Sequence, residues 1–334
     1  MSYPIQLSMI DYSQCFLPVQ ALNSYVIERA FSIERLYEDV ENDSVCNDLS
    51  KTIIFQEEDK LENIAEIKAV EDKYQITFYL PYAQFLWSVS LYLITYFDNC
   101  VQIPAMNERG CNSHGYKQNL FAMRFADDTF RRARMLQYGV TRSAFTEIPN
   151  IYDPQIFKEE ISKANSAYIA SMTFVFAHEF SHNFLGHTHI QNTYQNSIDD
   201  EMAADDSALD YLSDEFDDDD WGDTYKIGVV LSLCSLLLLG EDSITGKGVH
   251  PHMDIRIERI MTKLDLPESD IIWGLAGSAI RLWLLVYGDL EISEDMSMEP
   301  VPYYKDFYNR YIKLLTVFRQ RKYPDLVKPA WNID

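Results

Sequence analysis

Apolar positions recur at helical spacing through most of the chain and switch to strand-like alternation only once. Over Ala21–Val40 the apolar residues Val26, Ala30, Ile33, Leu36, Tyr37 and Val40 fall three or four apart with charges between them, which predicts an amphipathic helix. Ile64–Val70 and Tyr74–Leu80 are short β-favouring runs split by Glu71, Asp72 and Lys73, and they predict a hairpin. Pro81 then opens an apolar helix over Tyr82–Phe97, because proline suits the first helical turn. Pro104, Gly110 and Gly115 punctuate Val101–Gly115, which reads as a loop. Asn119–Tyr138 reads as a charged amphipathic helix, with Arg124, Arg131, Arg132 and Arg134 on a solvated face rather than at an anion site. The two prolines of Glu147–Pro154 mark a linker. Beyond it lie helical runs at Tyr168–Leu185, Asp199–Leu212 (with Ser197 as its N-cap), Thr224–Gly240, Ser269–Tyr287 and Tyr303–Arg319. The expected fold is mostly α with a small β-sheet, an α+β arrangement. It divides into an N-terminal region of hairpin and helices, residues 1–150, and a helical region, residues 151–334.

Composition narrows the function. With 47% hydrophobic and 13% aromatic residues, the 334-residue chain can bury a large core. Lys+Arg 28 against Asp+Glu 52 leaves a net charge of −24, so phosphate backbones repel it and nucleic acid is excluded as a partner. Five scattered cysteines with no C-x-x-C pair fit free thiols in a reducing compartment. Three apolar stretches raise the question of a membrane. Tyr74–Phe97 carries Pro81 and two glutamines, Ile227–Leu239 is too short to span, and Ile271–Tyr287 holds Arg281 near its middle. Buried core helices explain all three. With no basic leader before an apolar core, a cytoplasmic protein is expected.

The chemistry concentrates in His178-Glu-Phe-Ser-His182, inside the apolar helical run. Residues four apart share a helix face, so His178 and His182 can converge on one metal ion. Glu179 is rotated away, where it can hold and deprotonate a water; this is the arrangement of zinc-dependent peptidases. A catalytic zinc needs a third protein ligand and an open position. Glu201, in Asp200-Glu-Met-Ala-Ala-Asp205, would supply it from a second helix, with His187 and His189 as rivals. A histidine six residues after the second ligand, with glycine three after it, would be a metzincin pattern; Gly186 and His189 each fall one residue late. Asp205, one turn beyond Glu201, is placed to hydrogen-bond a ligand histidine and fix its tautomer. His250, held by Pro251 and followed by Arg256 and Arg259, is the candidate oxyanion donor, with a helix-capping or surface role as the alternative. The acid run Asp214–Asp220 reads as a solvated loop, since the glycine and closing glutamate of a calcium loop are misplaced.

Taken together, His178-Glu-Phe-Ser-His182, Glu201-Met-Ala-Ala-Asp205 and the downstream His250-Pro resemble the glutamate-liganded zinc peptidases, or gluzincins. The His-Pro followed by Arg is similar to the Ste24/HtpX-type group, and His-Glu-Phe-Ser-His-Asn-Phe-Leu-Gly-His resembles ImmA/IrrE-type peptidases. The overall layout resembles most the phage-exclusion peptidases of the Lit type. That resemblance implies a zincin-like core and a cytoplasmic protease acting on a host protein during phage infection, a translation elongation factor in the family's known case. The rival class is a regulatory or interaction protein that keeps zinc as a structural centre and cleaves nothing. Glu179 argues against it, because a structural site has no use for a general base.

Overall fold

The computed structural model describes residues 19–43, 53–56, 58, 61–70, 73–110, 117–139, 156–187, 194–218, 220–245, 252–288 and 303–324. The expected hairpin forms: β2 (Ala65–Val70) pairs antiparallel with β3 (Lys73–Tyr79), placing Ile67 opposite Ile76. A further strand, β1 (Ile53–Gln56), pairs in parallel with the other side of β3, so the sheet order is β1-β3-β2. Its four residues are too few to show alternation in the sequence. The sheet is small and the rest of the described chain is mostly helical, as the hydrophobic periodicity requires.

Strand β3 runs straight into α3 (Leu80–Tyr96), with Pro81 in its first turn and nearly every side chain buried. The loop expected at 101–115 is corrected over its first part, and residues 111–115 lie outside the described residues. The helix continues through a π-helical turn, Phe97–Gln102, into α4 (Ile103–Glu108), and Gly110 at φ 68 follows its end. Pro104 does not interrupt because it sits at the start of α4, where a missing N–H costs nothing. The N-terminal helical run is likewise two helices, α1 (Val19–Ser32) and α2 (Glu34–Asp43). Next comes α5 (Leu120–Arg134), capped by the Asn119 side chain, which accepts from Ala122 N at 3.1 Å. Arg124 and Arg131 face outward as expected, Arg131 pairing with Asp127 at 2.9 Å, but Arg134 departs from that face and lies over the Tyr287 ring of the later helical region.

The central element is α6 (Lys158–Phe184), which is longer than the apolar run alone suggests. Its 27 residues span about 40 Å at the helical rise of about 1.5 Å per residue. From Ala167 to His178 every residue is buried, so this part of the helix lies inside the molecule. Gly186 takes φ 76 and ends it, the left-handed turn that glycine adopts without penalty. Helix α1 lies against it, and Tyr168 donates to Asn23 Oδ1 at 2.6 Å. Helix α3 lies against it too, with Trp87 Nε1 donating to Asn165 at 2.8 Å.

Around α6 stand α7 (Tyr194–Ser213), α8 (Gly222–Leu237), α9 (Met253–Lys263), α10 (Ile271–Tyr287) and α11 (Tyr304–Lys322). Helix α7 starts before Ser197, which therefore lies within it instead of capping it; serine is tolerated inside helices as well as at their ends. Helices α6 and α8 approach so closely that a Cβ on Gly228 would sit 2.5 Å from that of Ala170. Ser171 donates to the Gly228 carbonyl at 2.9 Å across that contact. In the acid run, Asp218 Oδ1 accepts from the backbone N–H groups of Asp220 and Trp221, shaping the turn into α8. One hydrophobic cluster extends from Val19 to Phe318.

Candidate metal centre

The apolar faces of α6 bury it, and that burial carries His178 and His182 inward on the side that meets α7. Phe180 and Tyr211 pack across the α6–α7 contact with ring centroids 6.1 Å apart. Ser181 Oγ, between the two histidines, meets Ser207 Oγ at 2.9 Å. This docking places Glu201 opposite the imidazoles. The Nε2 atoms of His178 and His182 lie 3.1 Å apart, and Glu201 puts a carboxylate oxygen 3.6 Å from each. Among the described residues, this is the group of three that could hold a metal ion.

The donor set fits zinc. Ligands held at about 2.0–2.1 Å in tetrahedral geometry stand about 3.3 Å apart, and the three distances here bracket that separation. Burial pushes the His182 pKa down to about 4, with His178 adding to the fall, so His182 is the neutral imidazole that a metal requires. For His178, burial also favours the neutral ring, but the Asp205 carboxylate outweighs it and raises the pKa.

Behind each candidate ligand histidine stands a side chain that faces its Nδ1. Asp205, fully buried, lies with Oδ1 3.1 Å from His178 Nδ1, outside good hydrogen-bond alignment in this arrangement. Burial would raise the Asp205 pKa, yet Arg256 and His178 hold it below the ordinary carboxylate value. Arg256 comes from α9 and grips Asp205 with two bonds, Nε to Oδ2 at 2.8 Å and Nη2 to Oδ1 at 2.6 Å. Its Nη1 lies 3.0 Å from Glu201 Oε2. On the other side, His187 Nδ1 lies 3.0 Å from His182 Nδ1, and its Nε2 is 3.5 Å from Asp200 Oδ1. His187 therefore stands behind His182 and not beside Glu201, so it is not placed as the third ligand.

Glu179 lines a cavity of about 520 Å³ together with His178, Glu201, Arg256 and the apolar Leu233 and Leu236. Ile64 and Ala65, at the start of β2, form another part of its wall. Burial pushes the Glu179 pKa up to about 7, against the pull of His178. A carboxyl poised there can both take and return a proton near neutral pH. Arg259 is bound to Asp206 and to the Met202 carbonyl on α7. His189 and His250 lie outside the described residues.

The family model described as Peptidase U49 matches residues 76–276, which are 201 of the 334 and run from β3 into α10. The chain belongs to the peptidase U49 family. The expectation of a peptidase resembling the Lit type is thereby met at the level of a protein-cleaving hydrolase. The matched segment contains His178, Glu179, His182, Glu201, Asp205 and Arg256. No curated protein and no solved structure matches the chain.

Two contributions were missed by the sequence reading, those of Arg256 and His187. Arg256 carries only the signal of being an arginine on an amphipathic helix, and no spacing rule links it to Asp205, 51 positions earlier. His187 was legible as a metal-capable residue, but which ring nitrogen of which neighbour it faces is decided by the turn that ends α6. No helix among the described residues is long and apolar enough to cross a membrane.

Proposed function

We propose that this peptidase is a zinc-dependent endopeptidase with His178, His182 and Glu201 as its metal ligands. The observation that carries the reading is the convergence of these three side chains at ligand spacing beside a buried glutamate that lines the same cavity. Zinc bound there would supply a Lewis acid and lower the pKa of water. Glu179 takes the proton from the attacking water and returns it to the leaving amine. Asp205 and His187 hold the two imidazoles with Nε2 directed at Glu201. The peptide backbone enters along β2, the outer strand on that side of the sheet, whose first residue lines the cavity. The leucines of α8 pack on its side chains and exclude water. His250 serves as oxyanion donor in this reading. It is supported by Met253, three positions on, which lines the cavity.

The resemblance to Lit-type peptidases extends the proposal to a cytoplasmic protein substrate cleaved in phage defence, with a translation elongation factor as the implied target. The test is Glu179→Gln, measured for bound zinc and for cleavage of a host-protein mixture. The variant should keep its zinc and lose about 10²–10⁴-fold in rate, the usual general-base contribution. Cleavage at the wild-type rate would remove Glu179 from the reaction and return the chain's zinc to a structural role.

A further inference from the structure

Glu201 and Asp205 are one turn apart on α7, so both carboxylates face His178 of α6, and Glu201 faces His182 as well. Asp205 is fully buried, and the Glu201 side chain is 14% exposed. Two carboxylates brought this close and away from water need a partner that satisfies their oxygens, because an unpaired buried charge is costly. The counter-charge present is Arg256, 3% exposed, which forks onto both oxygens of Asp205 and touches Glu201 with its remaining nitrogen.

We infer that Arg256 is a positioning residue that assembles the metal site before metal arrives, holding Glu201 and Asp205 aimed through one guanidinium; this rests on the proposed metal centre. All three guanidinium nitrogens are engaged by these carboxylates, so Arg256 has little left to offer a substrate carbonyl. The group is itself fixed. Ile257, Ile260 and Met261 bury the apolar face of α9, and Arg259 and Lys263 both bind Asp206 on α7. Only a planar fork can span two oxygens of one carboxylate and reach a second; an ammonium offers the charge without that geometry.

Simple electrostatics makes the opposite prediction. A buried cation beside Glu201 repels an incoming dication, so deleting it would tighten metal binding. Preorganisation demands that deletion loosen it, because Glu201 and Asp205 would then have to be aimed at the expense of binding. The experiment is a Zn²⁺ titration of chelator-stripped protein against a chromophoric competitor, with folding checked by circular dichroism. Arg256→Met should weaken binding about 10–100-fold, the usual cost of losing a group that supports a ligand. Arg256→Lys, which keeps charge and bulk, should remain weakened by about tenfold or more on the same reasoning. The Arg256→Met loss should also shrink when Asp205→Asn is already present, since the two act through one contact.

Wild-type or tighter affinity in folded Arg256→Met overturns the inference and leaves the metal centre standing. Should Arg256→Met fail to fold, wild-type affinity in Arg256→Lys does the same. If His182→Ala binds Zn²⁺ as wild type does, the metal-centre reading falls, and this inference falls with it.

Discussion

The two candidate ligand histidines sit on one helix four residues apart, yet they are backed in different ways. Behind His178 stands a fully buried carboxylate clamped by a buried arginine, and both come from other helices. Behind His182 stands a second imidazole, His187, from just past the end of the same helix, facing an aspartate that is 21% exposed. The first support is charged, shielded from solvent and imposed by tertiary packing. The second is polar, touched by water and local in sequence. A buried charged contact is worth more than a partly exposed one, so one half of the site is built as core and the other at the end of a helix.

This contrast can be broken most directly at the imidazoles. His178→Ala and His182→Ala should each lose nearly all bound zinc, read by metal analysis after dialysis. If one of them kept full zinc, the equivalence of the two as ligands would be gone, and with it the comparison of what stands behind them. The next effect in size separates the supports. Asp205→Asn should weaken zinc affinity by about 10–100-fold, whereas His187→Ala, which removes a partly exposed partner, should cost less than about tenfold. A larger loss from His187→Ala than from Asp205→Asn, in the same competition titration, would invert the ranking.

The smallest effect concerns the stability of the metal-free protein between about pH 4.5 and 6.5, where two buried groups oppose each other. His182, lowered to about 4, is bare in the folded chain while the unfolded chain binds a proton; its contribution makes stability fall as pH falls. Glu179, raised to about 7, is protonated in the folded chain while the unfolded chain is ionised; its contribution makes stability fall as pH rises. Together they should leave the melting temperature nearly flat across the window. Glu179→Gln should then show melting that rises with pH, and His182→Gln melting that declines with pH. Slopes of the same sign in both variants would show that these two burials do not oppose each other.

Much of the candidate site was legible because it is written in short spacings. His178, Glu179 and His182 need only one helix turn, and Glu201 with Asp205 needs another. The hairpin and the long buried helices were legible for the same reason, since period-two and period-3.6 patterns are local. Errors arose where a residue's meaning depends on its place in an element. Pro104 looked like a break but opens a helix, and Ser197 looked like a cap but lies inside one. Strand β1 was invisible because four residues carry no pattern, and it exists through its pairing with β3.

The sequence by itself determined the helix that carries the two histidines, the carboxyl beside them, and the pair of carboxylates one turn apart on a second helix. Fixed helical geometry turns those spacings into shared faces whatever the rest of the chain does. Only the tertiary structure decided that the second helix meets the first at Glu201, and that Arg256 arrives from a third to hold both carboxylates. It also decided that His187 turns behind His182 and away from the ligand set. Those outcomes depend on apolar faces packed together across 50 or more residues, as at Gly228 against Ala170 and at Ile257 and Ile260 in the core. Such packing is a property of the whole assembled core, and no local spacing in the sequence encodes it.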